Sequence, residues 1–274
     1  MNRLFVVNKP IFRSSNGYMG YIKRKYNTKQ VGFSGTLDPF ATGCLIVATG
    51  QYPKLFQYLK KTPKAYTATL WLGANSQSLD IENVDSIKEV SAFAINDIYQ
   101  ALESLRGEIS YYPPKFSAKK VDGKRAYELA RAGEEVALKE INSTIYDIHL
   151  IHYNHPFIHF EAVVSEGTYI RSLGAIVADK LGVDATLSSL RRDYEGAFSF
   201  DNEKALNPLK FLKIPQNIYT GDEEYMELGK KLYLEYFETK EDGIYWIERE
   251  KFFSIIEIAN GEVKYKLNRM EKTE

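Results

Sequence analysis

The chain has 274 residues, 44% hydrophobic and 14% aromatic, which is enough to bury a sizeable core and excludes a disordered or fibrous chain. Its 36 basic and 36 acidic residues cancel, so overall charge gives no argument for a polyanionic partner, and a single cysteine, Cys44, excludes an internal disulfide. The run Leu4-Phe5-Val6-Val7 is too short for a signal peptide and no stretch nears the ~18 apolar residues of a membrane span, so a cytoplasmic protein is expected.

Leu4 to Asn8 predicts a strand. Ser14, Ser15 and Asn16 then offer cap oxygens for a basic helix to about Tyr26, with Tyr18, Tyr21 and Ile22 as its apolar side. After a glycine-bounded loop, Leu45 to Thr49 reads as a buried strand and Pro53 opens a short helix through Lys60. Ala65 to Leu72 alternates, which puts Tyr66, Ala68, Leu70 and Leu72 on one face and points Tyr66 into apolar surroundings. Asn96 can cap a helix carrying Ile98, Leu102 and Leu105, with Gly107 as its stop.

Pro113-Pro114 starts an extended segment that leads into the densest basic cluster, Lys115 to Arg125, and a short helix from Ala126 to Arg131. Phe157 to Ser165 predicts a strand, which Glu166-Gly167 turns into a helix with Ile170, Leu173, Val177 and Leu181 inward. Arg171 falls in the first turn of that helix and Gly182 ends it. Beyond Pro208 the pattern changes to short strands at Gly243 to Ile247, Phe252 to Ile258 and Val263 to Leu267, the last two joined at Asn260-Gly261. An α+β chain is expected, with a large domain over 1–214 and a small β-rich domain over 215–274.

Charge is unevenly spread. Residues 1–65 hold eleven Lys or Arg and one acid, Asp38, whereas residues 201–274 hold sixteen acids against twelve bases. A polyanion would be welcome at the first segment, although solvated helix faces account for the same pattern. Asp38 sits in Gly35-Thr36-Leu37-Asp38-Pro39-Phe40-Ala41-Thr42-Gly43, where glycines and a proline fix a tight backbone around one carboxylate. Burial alone would neutralise that acid, so a nucleophilic Asp38 needs a nearby cation, and Arg171 is the candidate. Taken alone, the loop fits an ordinary turn aspartate better. Cys44 reads as a small buried hydrophobe. The histidines at 149, 152, 155 and 159 lack ligand spacing for a metal, and the glycine loop lacks the Gly-Lys-Ser/Thr ending of a phosphate-cradling loop.

Five blocks taken in order decide the reading: Gly35 to Gly43, Lys64-Ala65-Tyr66, Pro114 to Arg131, Gly167-Thr168-Tyr169-Ile170-Arg171 and Leu190-Arg191-Arg192. Together they resemble the motifs of bacterial TruB pseudouridine synthases over roughly the first 200 residues. The resemblance implies a catalytic domain with a mixed, mainly antiparallel sheet flanked by helices and loops, followed by a small PUA-like RNA-binding domain. It implies an isomerase that converts uridine 55 in the T-loop of tRNA to pseudouridine with no cofactor and no metal. The T-arm of tRNA is its expected partner, with no obligatory protein partner, and the chain is expected to be a monomer.

By the same resemblance Asp38 is the catalytic carboxylate, Arg171 its pairing cation, Tyr66 the tyrosine packed on the target base and Leu190 a wall of the pocket. Asp38 could attack the anomeric carbon or remove a sugar proton; both routes stay open. Tyr66 is the candidate base for the C5 proton, with stacking as its lesser role. The target uridine must be flipped out, and Lys9, Lys119, Lys124, Arg125 and Tyr169 are expected to meet RNA. Phe33 stands where the family usually has histidine, so it can stack but not transfer a proton. Of the acidic segment after the second strand, Ser76 to Asp80 keeps only Asp80, either an orienter of Arg171 or a surface acid. Two other readings are a tRNA-binding protein with a vestigial site and a guide-RNA-dependent synthase that needs protein partners.

Overall fold

A computed structural model describes residues 1–117, 119–121, 123–134 and 138–272. Its strands and helices in chain order are β1 (Arg3–Lys9), α1 (Ser15–Lys25), β2 (Val31–Ser34), β3 (Thr42–Thr49), β4 (Lys64–Leu72), β5 (Ala74–Ser76) and β6 (Val84–Ile87). There follow α2 (Ile95–Glu103), β7 (Gly107–Tyr111), β8 (Lys120–Val121), β9 (Lys124–Arg125), α3 (Ala126–Arg131), β10 (Ile141–Asn154), β11 (Phe157–Val164) and α4 (Ile170–Leu181). The chain ends through β12 (Ala185–Glu195), β13 (Phe198–Ser199), α5 (Glu223–Glu227), β14 (Gly243–Glu248), β15 (Phe252–Ala259) and β16 (Glu262–Glu271).

One sheet organises the molecule, in the order β1-β3-β12-β4-β11-β10-β7, with β2 on β3 and β13 on β12. All its pairings are antiparallel except β3 with β12, where Thr42 and Gly43 lie opposite Arg191 and Arg192. The expected α+β class with a mixed, mainly antiparallel sheet is therefore what the chain adopts. Helices α2 and α4 cover one face, burying Leu70, Leu72, Ile98, Leu102, Ile158, Phe160, Leu173 and Val177 in one apolar core. The other face of β1 and β3 packs Leu4, Val6 and Ile46 against Phe253, Ile255 and Met270 of the C-terminal sheet β14-β15-β16. Among the described residues no helix is long and apolar enough to cross a membrane.

Local rules explain most elements. Ser14 caps α1 by accepting from the Gly17 N–H at 3.0 Å, and its basic last turn, Lys23 to Lys25, suits the negative end of the helix. β4 alternates as expected, with Tyr66, Ala68, Leu70 and Leu72 buried. Gly182, left-handed at φ 69°, ends α4.

Three expectations are corrected. Tyr21 is exposed, because α1 turns Met19 and Ile22 to the core and leaves Tyr21 stacked on Tyr18 outside. Asn96 lies inside α2, whose N-cap is Ala94 without a side-chain bond, and Gly107 opens β7 rather than stopping the helix. Tyr66 does not meet only apolar atoms, since its cross-strand neighbour is Arg192.

Candidate active site

Gly35 to Gly43 crosses the top of the sheet between β2 and β3, and its glycines are demanded by neighbours. At Gly35, φ 71°, a Cβ would overlap the Glu195 carboxylate; at Gly43, φ 100°, it would overlap the Arg192 carbonyl of β12. The loop is held from below by Lys9. Its Nζ is fully buried and donates to the carbonyls of Pro10, Arg13 and Pro39 at 2.9, 2.6 and 3.1 Å. Burial pushes this ammonium down to about 8, against the pull of Asp38. The expectation that Lys9 meets RNA is thereby corrected: its three donors are spent on carbonyls inside the fold.

Asp38 faces α4 from this loop. Arg171, in the first turn of α4 and 3% exposed, brings Nε to 2.8 Å from Asp38 Oδ2 and donates from Nη2 to Oδ1 at 2.9 Å. The second side of the fork donates from Nη1 to the Ser78 carbonyl at 2.7 Å and to Asp80 Oδ2 at 3.2 Å, while Nη2 also reaches the Phe116 carbonyl at 2.9 Å. Asp80 is buried, not a surface acid. Its Oδ1 accepts from Ser78 Oγ at 2.7 Å and from the Glu82 N–H at 3.0 Å, so it is fixed before it meets Arg171. Removal from water moves the Asp38 carboxyl up from its ordinary value; Arg171 and Lys9 oppose that shift and Asp80 adds to it. Its side chain is 32% exposed, so the anion remains accessible from outside.

Two clefts meet at this carboxylate. One, of about 460 Å³, is lined by Ser14, Asn16, Phe33, Asp80, Phe116 and Arg171 among others. The second, of about 270 Å³, has Tyr66 and Leu190 on its walls with Lys64, Tyr169, Arg171 and Arg192. Asp38 lines both. Tyr66 and Leu190 come from neighbouring strands, β4 and β12, and are both nearly buried. The structure thus brings Asp38, Arg171, Tyr66, Tyr169, Leu190, Asp80 and Phe33 to the two clefts that share Asp38 and Arg171. It does not bring Lys119 to either cleft. The side chains of Lys124 and Arg125 lie outside the described residues; their backbone forms β9.

Sequence reasoning quoted Arg192 only as part of the fifth block, without a role, and passed over Glu195. Arg192, 1% exposed, donates from Nε to the Cys44 carbonyl at 2.8 Å and from Nη2 to the Gly35 carbonyl at 2.7 Å, and Nη1 lies 2.7 Å from Glu195 Oε1. Glu195 is fully buried and its Oε1 lies 3.4 Å from Lys64 Nζ. The opposite charges three residues apart, next to the apolar Leu187 and Leu190, were the available signal. Cys44 is buried as expected and donates to the Phe198 carbonyl at 3.3 Å. Among the described residues no cluster of His, Cys, Asp and Glu side chains is arranged to hold a metal ion.

A carboxylate about one-third exposed and clamped by a buried guanidinium, beside a slot walled by Tyr66 and Tyr169, is an arrangement suited to carboxylate-dependent catalysis. Comparison with known proteins narrows this. Residues 23–170 match the model of the TruB family pseudouridylate synthase (N terminal domain). The chain is 73% identical over 274 residues to the tRNA pseudouridine synthase B of Sulfurovum sp. (strain NBC37-1), covering 100% of this chain and 99% of that protein. It is 52% identical over 272 residues to the protein of that name from Sulfurimonas denitrificans, covering 99% of this chain and 100% of the other. This chain therefore belongs to the TruB family of pseudouridylate synthases and is an isomerase. Its fold is shared with a chain of a Cbf5-Nop10-Gar1 complex, at TM-score 0.66 and 20% identity, covering 99% of this chain and 84% of that one. A chain of the archaeal box H/ACA sRNP Nop10-Cbf5 complex is similar at TM-score 0.67 and 19% identity, covering 98% and 86%.

Proposed function

We propose that this chain isomerises uridine 55 in the T-loop of tRNA to pseudouridine, with Asp38 as the catalytic carboxylate. The observation that carries the reading is the position of Asp38, held by Arg171 at the junction of two clefts, one of them the Tyr66–Leu190 slot. The name shared by the relatives supports tRNA as the substrate.

Isomerisation breaks the N1 glycosidic bond, turns the uracil and rejoins the ribose at C5, so it consumes no reagent. The flipped ring lies in the slot against Tyr66 and Leu190, which keep the detached base from leaving. The ribose then faces Asp38, whose anion acts either on the anomeric carbon or on a sugar proton. Arg171 favours the anion and fixes its direction; Asp80 fixes Arg171. In the larger cleft Phe33 offers a ring face for a neighbouring base.

Phosphates are gripped by exposed cations of α1 and the turn after it, Lys23, Arg24 and Lys29, which border one surface concavity. Lys119, Lys124 and Arg125 serve the same purpose from the basic hairpin. Residues 1–214 form the catalytic unit and 215–274 a PUA-like unit that adds RNA contacts. The enzyme works as a cytoplasmic monomer without an obligatory protein partner.

The test is turnover by the purified chain on unmodified tRNA and on a T-arm stem-loop, with pseudouridine mapped by position. Formation at position 55 on both substrates is expected. Tight binding without isomerisation would overturn the catalytic reading, and activity only after guide RNA or further proteins are added would overturn independence from partners.

A further inference from the structure

The proposed reaction needs a proton to arrive at N1 of the released uracil and another to leave C5, in a slot that the flipped ring fills. Tyr66 presents a hydroxyl on the slot wall, yet burial pushes its phenol up from its ordinary value. A phenol so placed is a poor base unless something stabilises its anion.

Arg192 stands directly across from Tyr66 on the adjoining strand, at the register pair Arg192–Tyr66 of β12 and β4. Both residues line the slot, and the guanidinium draws the phenol pKa down against burial. Around them the buried charges do not cancel. Arg192 and Lys64 are cations, and the buried anion between them is Glu195, 2.7 Å from Arg192 Nη1 and 3.4 Å from Lys64 Nζ. Glu166 also approaches Lys64, at 3.9 Å, but its side chain is more than half exposed and its charge is screened by water. The floor of the slot thus carries one surplus positive charge, which a Tyr66 phenolate would neutralise. The other titratable groups lining the slot are Asp38 and Arg171, paired with each other, and Tyr169.

We propose that Arg192 is a positioning residue that acts through Tyr66, stabilising the phenolate of a tyrosine that shuttles one proton from C5 to N1. This rests on the function proposed above. When the N1 glycosidic bond breaks, its electron pair stays on N1; the Tyr66 hydroxyl gives N1 its proton and becomes phenolate. The C5–C6 π electrons of the turned ring form the new bond to the anomeric carbon, displacing the Asp38 oxygen if it has taken the place of N1 there, and leave the ring with one positive charge. The phenolate then takes the proton from C5, and the electron pair of that C–H bond returns to the ring. One proton has moved from C5 to N1, Tyr66 ends as it began, and no oxidant, reductant or outside base is used.

The charge balance supplies a test of opposite signs. Arg192→Gln removes the cation; Glu195→Gln increases the surplus. Each is assayed in single turnover on a T-arm stem-loop carrying hydrogen or deuterium at C5 of the target uridine, across pH, with RNA affinity measured alongside. With Arg192→Gln the rate should fall about 10²-fold, the scale of a general acid–base contribution, while RNA affinity holds. The deuterium effect should grow, and the alkaline pH at which the rate falls, as the Tyr66 phenol ionises before it can protonate N1, should move up. With Glu195→Gln that alkaline fall should move down, without a larger deuterium effect. Shifts of both variants in the same direction, or an unmoved profile, overturn the assignment. Should Arg192→Gln fail to fold, Glu195→Gln decides alone, since no shift or an upward one overturns the proposal. A wild-type chain inactive on the stem-loop would overturn the function itself, whereas an active wild type with unmoved variants overturns only the role of Arg192.

Discussion

Arg171→Lys keeps the charge beside Asp38 and removes the fork. The guanidinium makes five polar contacts between 2.7 and 3.2 Å: two with Asp38, one with Asp80 and one each with the carbonyls of Ser78 and Phe116. An ammonium has three donors and a shorter reach, so at least two of those contacts go. Hydrogen bonds to charged groups contribute about 1.5–3 kcal/mol each. The share lost at Asp38 is discounted because water reaches a third of that side chain. A net loss of about 3 kcal/mol of orientation corresponds to about 10²-fold in rate. Single-turnover pseudouridine formation at saturating enzyme should fall by that factor, while RNA affinity measured by filter binding stays at the wild-type value, because a buried Arg171 touches no phosphate. A wild-type rate in Arg171→Lys would refute the claim that the fork, rather than the charge, sets the carboxylate.

The acid limb of kcat/KM should report Asp38. Burial raises its pKa and only the anion is active, so activity is lost as pH falls through the raised value, beginning above the ordinary 3.8; a profile flat down to that pH contradicts this. Gly35→Ala should destabilise the protein by about 2 kcal/mol from the left-handed backbone alone. It should also slow catalysis by pushing Glu195 away from Arg192; urea denaturation and turnover check both, and an unchanged midpoint refutes the packing argument. Burial pushes the Cys44 thiol up to about 12, so iodoacetamide at neutral pH should label the chain only in denaturant, and fast labelling of the native protein would show a different environment.

Elements governed by local periodicity and capping were legible in the sequence: the Ser14 cap of α1, the alternation of β4, the Gly182 stop of α4. The turn at Asn260-Gly261 was legible too, both residues having positive φ. β12 was not, because Ala185 to Glu195 reads as a polar segment and becomes a central strand only through partners distant in sequence, β3 and β4. Its Arg192 and Glu195 are buried because they pair with each other, and Glu195 also with Lys64, a condition that periodicity does not reveal. Lys9 misled for the same reason: a lysine in a basic segment reads as a phosphate ligand until three carbonyls converge on it. Asp38 in isolation was an ordinary turn aspartate; what distinguishes it is Arg171, 133 residues away in sequence.

The central claim is that Asp38 performs the chemistry and does not merely shape the site. Asp38→Asn keeps the size of the side chain and one acceptor for Arg171. The measurement is pseudouridine formed at position 55 of unmodified tRNA by this variant, beside its affinity for the same tRNA. The account predicts wild-type affinity and no product; product formed at the wild-type rate would contradict it.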